Sequence, residues 1–163
     1  MNDAHLHMVV NHFPIIGTIF GLGILIAGLI LKNNSVKNTA YFVFIIAAIF
    51  AFTAAYTGDG AEEIVEDMPN IGNQIIHEHE ELADKFALIM YLTGFFSLIS
   101  LLANVKNHKF AKFLSFVTLT LAIVAAILSK SVGTSGGEIR HTEIRETTTQ
   151  TIENHKEKDV DND

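Results

Sequence analysis

The chain contains no cysteine, which rules out a disulfide framework, an iron–sulfur cluster, a thiolate zinc site and a covalently attached c-type haem. Any metal must then be held by histidine, carboxylate or methionine. A second absence is one of charge. Four stretches, 13–31, 39–57, 86–105 and 113–129, contain no Asp, Glu, Lys, Arg or His. Each approaches the ~20 residues that a helix needs to cross ~30 Å of hydrocarbon. Their apolar residues do not alternate with polar ones as barrel strands would, and 49% hydrophobic residues in a chain of 163 is high for a soluble four-helix bundle. The expected fold is all-α, an integral membrane four-helix bundle.

Two short segments lack acids. The connection between the first two spans carries Lys32 and Lys37, and that between the last two carries Lys106, Lys109 and Lys112. Short lysine-bearing loops mark the cytoplasmic side. All 18 acidic residues lie elsewhere, in the N-terminal segment, the long connection 58–85 and the region after Lys130. The chain is therefore expected to form two out-in-out hairpins in the cytoplasmic (inner) membrane, with both termini on the extracytoplasmic face. No basic segment precedes the first apolar run, so a cleaved leader is not expected. A net charge of −7 without a concentrated basic patch excludes nucleic acid as a partner and leaves the lipid bilayer. Residues 1–145 form the expected transmembrane domain, and the polar 146–163 a disordered acidic tail. His108 in a lysine loop and His155 in the tail are read as ordinary exposed side chains.

The order histidine, span, lysine loop, span, glycine-rich exit, glutamate occurs twice. His12 precedes the first span and Thr57-Gly58-Asp59-Gly60-Ala61-Glu62 ends the second. His77 and His79 precede the third, and Gly133-Thr134-Ser135-Gly136-Gly137-Glu138 follows the fourth. Repeats related by an axis along the membrane normal would gather both histidine groups at one end.

Three segments carry the candidate chemistry. In His5-Leu6-His7-Met8-Val9-Val10-Asn11-His12, helical spacing places His5 and His12 on one face and His7 on another, with Asn11 as an expected N-cap. In His77-Glu78-His79-Glu80-Glu81, His77 shares a face with Glu81 while His79 points elsewhere. The acids there also suit a helix N-terminus through the macrodipole, which explains them without a metal but does not explain two histidines. Beyond the fourth span, Gly136-Gly137 is expected to turn the chain so that His141 returns to the bundle, with Glu138 and Arg140 beside it.

The segment from His7 and His12 in HMVVNHFPI to the Gly-Gly motif before His141 resembles the four-span membrane proteins grouped as domain of unknown function 2231. Their start typically reads HPxxVHFPIxL and their end GGxLVYxHG; Met8 stands at the position of the proline. The resemblance spans roughly residues 5 to 141, implies the four-span topology and marks His7, His12 and His141.

These features point to an electron-transfer protein with a centre at the outer rim. For haem b, the ligands and contacts would come from His7, His12, His77, His79, Arg140 and His141, with Phe13 and Phe86 covering the macrocycle. For a non-haem iron, copper or zinc ion they would come from His5, His7, His12, Glu62, His77, His79, Glu81, Glu138 and His141. Redox or complex subunits on the outer side are the expected partners. A structural or assembly subunit without a cofactor is the rival class. A metal-ion transporter is less well supported, because the spans hold no intramembrane charge. No nucleophile and base with a defensible spacing supports a hydrolytic enzyme.

Overall fold

The computed structural model describes residues 2–66, 68 and 71–145. They form α1 (Asp3–Val10), α2 (His12–Ile30), α3 (Asn34–Val65), α4 (Asn73–Val105), α5 (Ala111–Arg140) and a 3-10 turn, Thr142–Ile144, with no strand among the described residues. The expected acidic tail, 146–163, lies outside them. Four helices are long and apolar enough to cross a membrane, α1 and α2 together making the first. Helix α2 packs on α3, α3 on α4, α4 on α5, and α5 back on α2, while α1 lies chiefly against α3.

The surface has the composition of a core. Phe20, Ile30, Phe52, Phe113 and Ile127 are all exposed, whereas Thr18, Thr93, Ser97, Ser100, Ser115 and Thr118 are buried. Such an arrangement suits hydrocarbon as solvent, because burying hydroxyls inside the bundle keeps them from lipid while small side chains let helices approach closely. Several hydroxyls link helices. Thr18 donates to the Met90 sulfur at 3.0 Å. Tyr41 donates to Ser115 at 2.6 Å, whose own proton goes to the Ala111 carbonyl. Ser100 and Thr118 bond at 2.9 Å. Near the lysine loops, the Asn104 amide donates to Asn38 at 2.6 Å and to the Asn34 carbonyl.

Helix α3 is gripped from two sides through adjacent alanines. A Cβ on Gly17 of α2 would lie 2.7 Å from the Ala47 Cβ, and one on Gly94 of α4 would lie 2.5 Å from the Ala48 Cβ. Only glycine permits both approaches.

The helix boundaries extend past the uncharged runs. Gly58 was expected to open a long connection to Lys85, but α3 continues to Val65 and α4 starts at Asn73. Likewise the Gly136-Gly137 pair makes no turn; α5 runs through it to Arg140. Both glycines sit in the helix with φ in the ordinary range, and the reversal is deferred to His141. Asn11 makes no side-chain cap. The break between α1 and α2 is better explained by Pro14, which has no N–H for the Val10 carbonyl and whose ring crowds it.

Both lysine-bearing turns close alike. Lys32 and Asn107 each have φ of 50°, and the next residue's N–H reaches back to the Gly28 carbonyl (3.0 Å) or the Ala103 carbonyl (2.8 Å). This is the Schellman arrangement, in which a left-handed residue ends the helix. Asn33 then caps α3, accepting from the Ser35 and Val36 N–H groups. Lysine carries a Cβ penalty in that conformation, so Lys32→Gly is expected to stabilise the fold by up to ~1 kcal/mol, read as a higher midpoint in SDS-induced unfolding.

Candidate functional site

The inward stripe of α2 is Pro14, Thr18, Gly21, Leu25 and Gly28. Extended one and two turns back it passes through Val10, which is buried, to His7. In α4 the buried stripe Phe86, Met90, Thr93, Ser97 and Ser100 extends back through the partly buried Leu82 to His79. One register relates His7 to His79 and every member of the first stripe to its counterpart in the second. A second register relates Thr57 to Ser135, and it superposes the buried positions Ala40, Phe44, Ala47, Ala51 and Ala54 of α3 on Thr118, Ala122, Ala125, Ser129 and Val132 of α5.

Both histidines meet the same kind of partner. His7 Nδ1 donates to the Ala54 carbonyl at 2.9 Å and more distantly, at 3.3 Å, to the Thr57 hydroxyl. Thr57 in turn donates to the Thr53 carbonyl. His79 Nδ1 donates to the Ser135 hydroxyl at 2.9 Å, while Ser135 donates to the Val132 carbonyl. Because a carbonyl can only accept, the ring proton of His7 sits on Nδ1; His79 takes the same tautomer when the Ser135 proton goes to the Val132 carbonyl at 3.2 Å. Nε2 is left with its lone pair free on both rings. A glycine lies under each: a Cβ at Gly58 would be 3.7 Å from His7 Cε1, and one at Gly136 would be 3.0 Å from His79 Cε1.

Burial favours the neutral rings, which lie beyond the ends of the uncharged runs. Desolvation pulls His7 below the usual histidine range, with the charge on His12 adding to it and the Ala54 carbonyl opposing. Desolvation does the same to His79, with repulsion from a protonated His7 as the smaller cause. One turn along from His7, the Asn11 side-chain oxygen is buried without a hydrogen-bond partner. A buried acceptor left unmet costs ~1–3 kcal/mol.

The remaining expected ligands are placed elsewhere. His77 is exposed and spends its nitrogens on Glu80 (3.3 Å) and Glu81 (3.5 Å) of its own helix. Glu81 also bonds Lys85 at 3.0 Å, which holds its carboxyl below the ordinary range. His141 pairs with Glu143 at 2.9 Å in solvent. His5 and His12 are exposed. Glu62 is partly buried; desolvation and the charges of Glu80, Glu66 and Asp59 raise its carboxyl above the usual range. The Glu138 carbonyl accepts from Arg145, and Arg140 bonds the Met68 sulfur. Phe13 faces outward and stacks on Phe50 at 4.5 Å, whereas Phe86 is buried in the core. Among the described residues, no three His, Asp or Glu side chains form a group able to hold a metal ion.

Sequence reasoning named both inward histidines but missed Thr57, Ser135 and the Ala54 carbonyl. The signal was the dipeptides Thr57-Gly58 and Ser135-Gly136, a hydroxyl residue followed by glycine at matching places in the repeat. No family model, no curated protein and no solved structure matches the chain.

Proposed function

We propose that this is a membrane electron carrier that holds haem b between His7 and His79 at its extracytoplasmic end. The observation that supports it is the matched pair of half-buried imidazoles, each fastened through Nδ1 with no protein partner at Nε2. Hydrogen bonding at the far nitrogen orients a ligating ring and raises its basicity. The donor set fits a haem, which His7 and His79 would hold from its two sides without a third protein donor. A non-haem ion generally needs a third donor, and among the described residues none joins the two. Bound there, the haem would supply one-electron chemistry. This chain's residues would orient both rings through Ala54, Thr57 and Ser135, and keep water from them by burial. Acid-free lysine loops at one end of the bundle and acids at the other support the N-out, C-out topology of two hairpins. A redox partner on the outer face follows from that placement.

The test is the visible spectrum of the full-length protein purified from membranes, reduced with dithionite and compared with the oxidised form. A Soret band with sharp α and β bands is expected. A featureless spectrum, with no iron, copper or zinc by elemental analysis, rejects the haem and non-haem versions together. It would favour the rival role as an assembly subunit, for which the closed hydrogen bonds of both rings already suffice as helix clamps. Sidedness is testable separately, because a chain without cysteine accepts single cysteines at Ser35 and Glu143; an impermeant thiol reagent applied to whole cells should label only the second. Ser135→Ala is expected to weaken haem retention by roughly 10–100-fold, measured by transfer to apomyoglobin.

A further inference from the structure

We propose that the groove between the loop-proximal ends of α4 and α5 binds an acidic phospholipid, its acyl chains against the helices and its phosphate at Lys106 and His108. The groove has a volume of about 860 Å³, within the ~300–1,000 Å³ of small-molecule sites. Its walls are almost wholly carbon, from Leu102 and Ala103 of α4, Phe113 and Leu114 of α5, and Phe110 between them. Lys106 and His108, both exposed, border it and contribute almost no polar surface to the walls. That division, apolar slot and cationic lip, matches an amphiphile whose head is negative.

The lip is arranged to donate. His108 Nδ1 accepts the Phe110 N–H at 3.4 Å, so a neutral ring carries its proton on Nε2. Lys109 Nζ lies 5.1 Å from the centre of the Phe110 ring, adding a second cation beside the mouth. No acid occurs anywhere in 106–112 to compete. A zwitterionic head would bring its own cation against these lysines, whereas an acidic head would not. Basic pockets between membrane helices are suited to acidic headgroups on these grounds. The other lysine-bearing turn lacks the room: there α2 and α3 close so tightly that a Cβ on Gly28 would lie 2.8 Å from the Lys37 backbone nitrogen.

Native mass spectrometry of the full-length protein in detergent, given equal phosphatidylglycerol and phosphatidylcholine with the same acyl chains, tests this. Preferential retention of phosphatidylglycerol is expected. Lys106→Gln with His108→Gln, which alters only exposed side chains, should cut that retention at least about fivefold, the size of one lysine's contribution near an anionic surface. Ala103→Phe, which fills the slot without touching the charge, should do the same. Lys32→Gln with Lys37→Gln removes two lysine charges from the other turn, against one from Lys106, and should leave retention unchanged. Equal retention of the two lipids, or an equal loss from the Lys32/Lys37 variant, would overturn the proposal, as would unaltered retention in Ala103→Phe.

Discussion

His79→Ala protein, purified in detergent, is expected to lose its haem spectrum, while His77→Ala protein retains it. The two residues are neighbours on one helix and differ only in direction. His79 faces inward onto Ser135, and His77 faces solvent with Glu80 and Glu81. Loss of an axial ligand should exceed the roughly 10–100-fold effect of losing its hydrogen-bond partner. His7→Ala is expected to match His79→Ala, since Ala54 and Thr57 hold His7 as Ser135 holds its counterpart. Unchanged helicity and elution volume would show that the loss is not one of folding. Retained haem in His79→Ala would refute the assignment.

The second large effect is on the bundle. Gly94→Leu is expected to destabilise the protein by about 1–3 kcal/mol, because the side chain enters the space occupied by Ala48 and no flexible neighbour can yield. Helix α3 cannot retreat either, since Ala47 is already against Gly17. Gly23→Leu is the matched control: nothing lies within 4 Å of a Cβ there. Far-UV circular dichroism during SDS titration reads both, and equal midpoints for the two variants would contradict the packing described. The chain has no tryptophan, so fluorescence is not the natural probe.

The membrane helices were legible because charge is absent from their runs, and that absence is a direct requirement of the solvent. Their full extents were not, because past the bilayer nothing in composition separates helix from loop. Gly58 and Gly136 look like exits; both lie inside helices, each beside an imidazole. The choice among histidines was half legible. Helical spacing separates His77 from His79 and His5 from His7, but it does not say which face turns inward. Extrapolating the stripes Val10, Pro14, Thr18 and Leu82, Phe86, Met90 would have decided both. The expectation that His141 folds back failed on the assumption that paired glycines must turn.

Proline 14 separates the two halves of the site mechanically. His79 is built into α4, a single helix of 33 residues, and so is fixed like a tooth on a shaft. His7 belongs to α1, which has eight residues and is too short to persist without its neighbours. Its register is set by the Asn2 cap at one end and by contact with α3 along its side. The two imidazoles are therefore held unequally, His79 by a helix that runs the length of the bundle and His7 by a short segment that leans on α3 for its position.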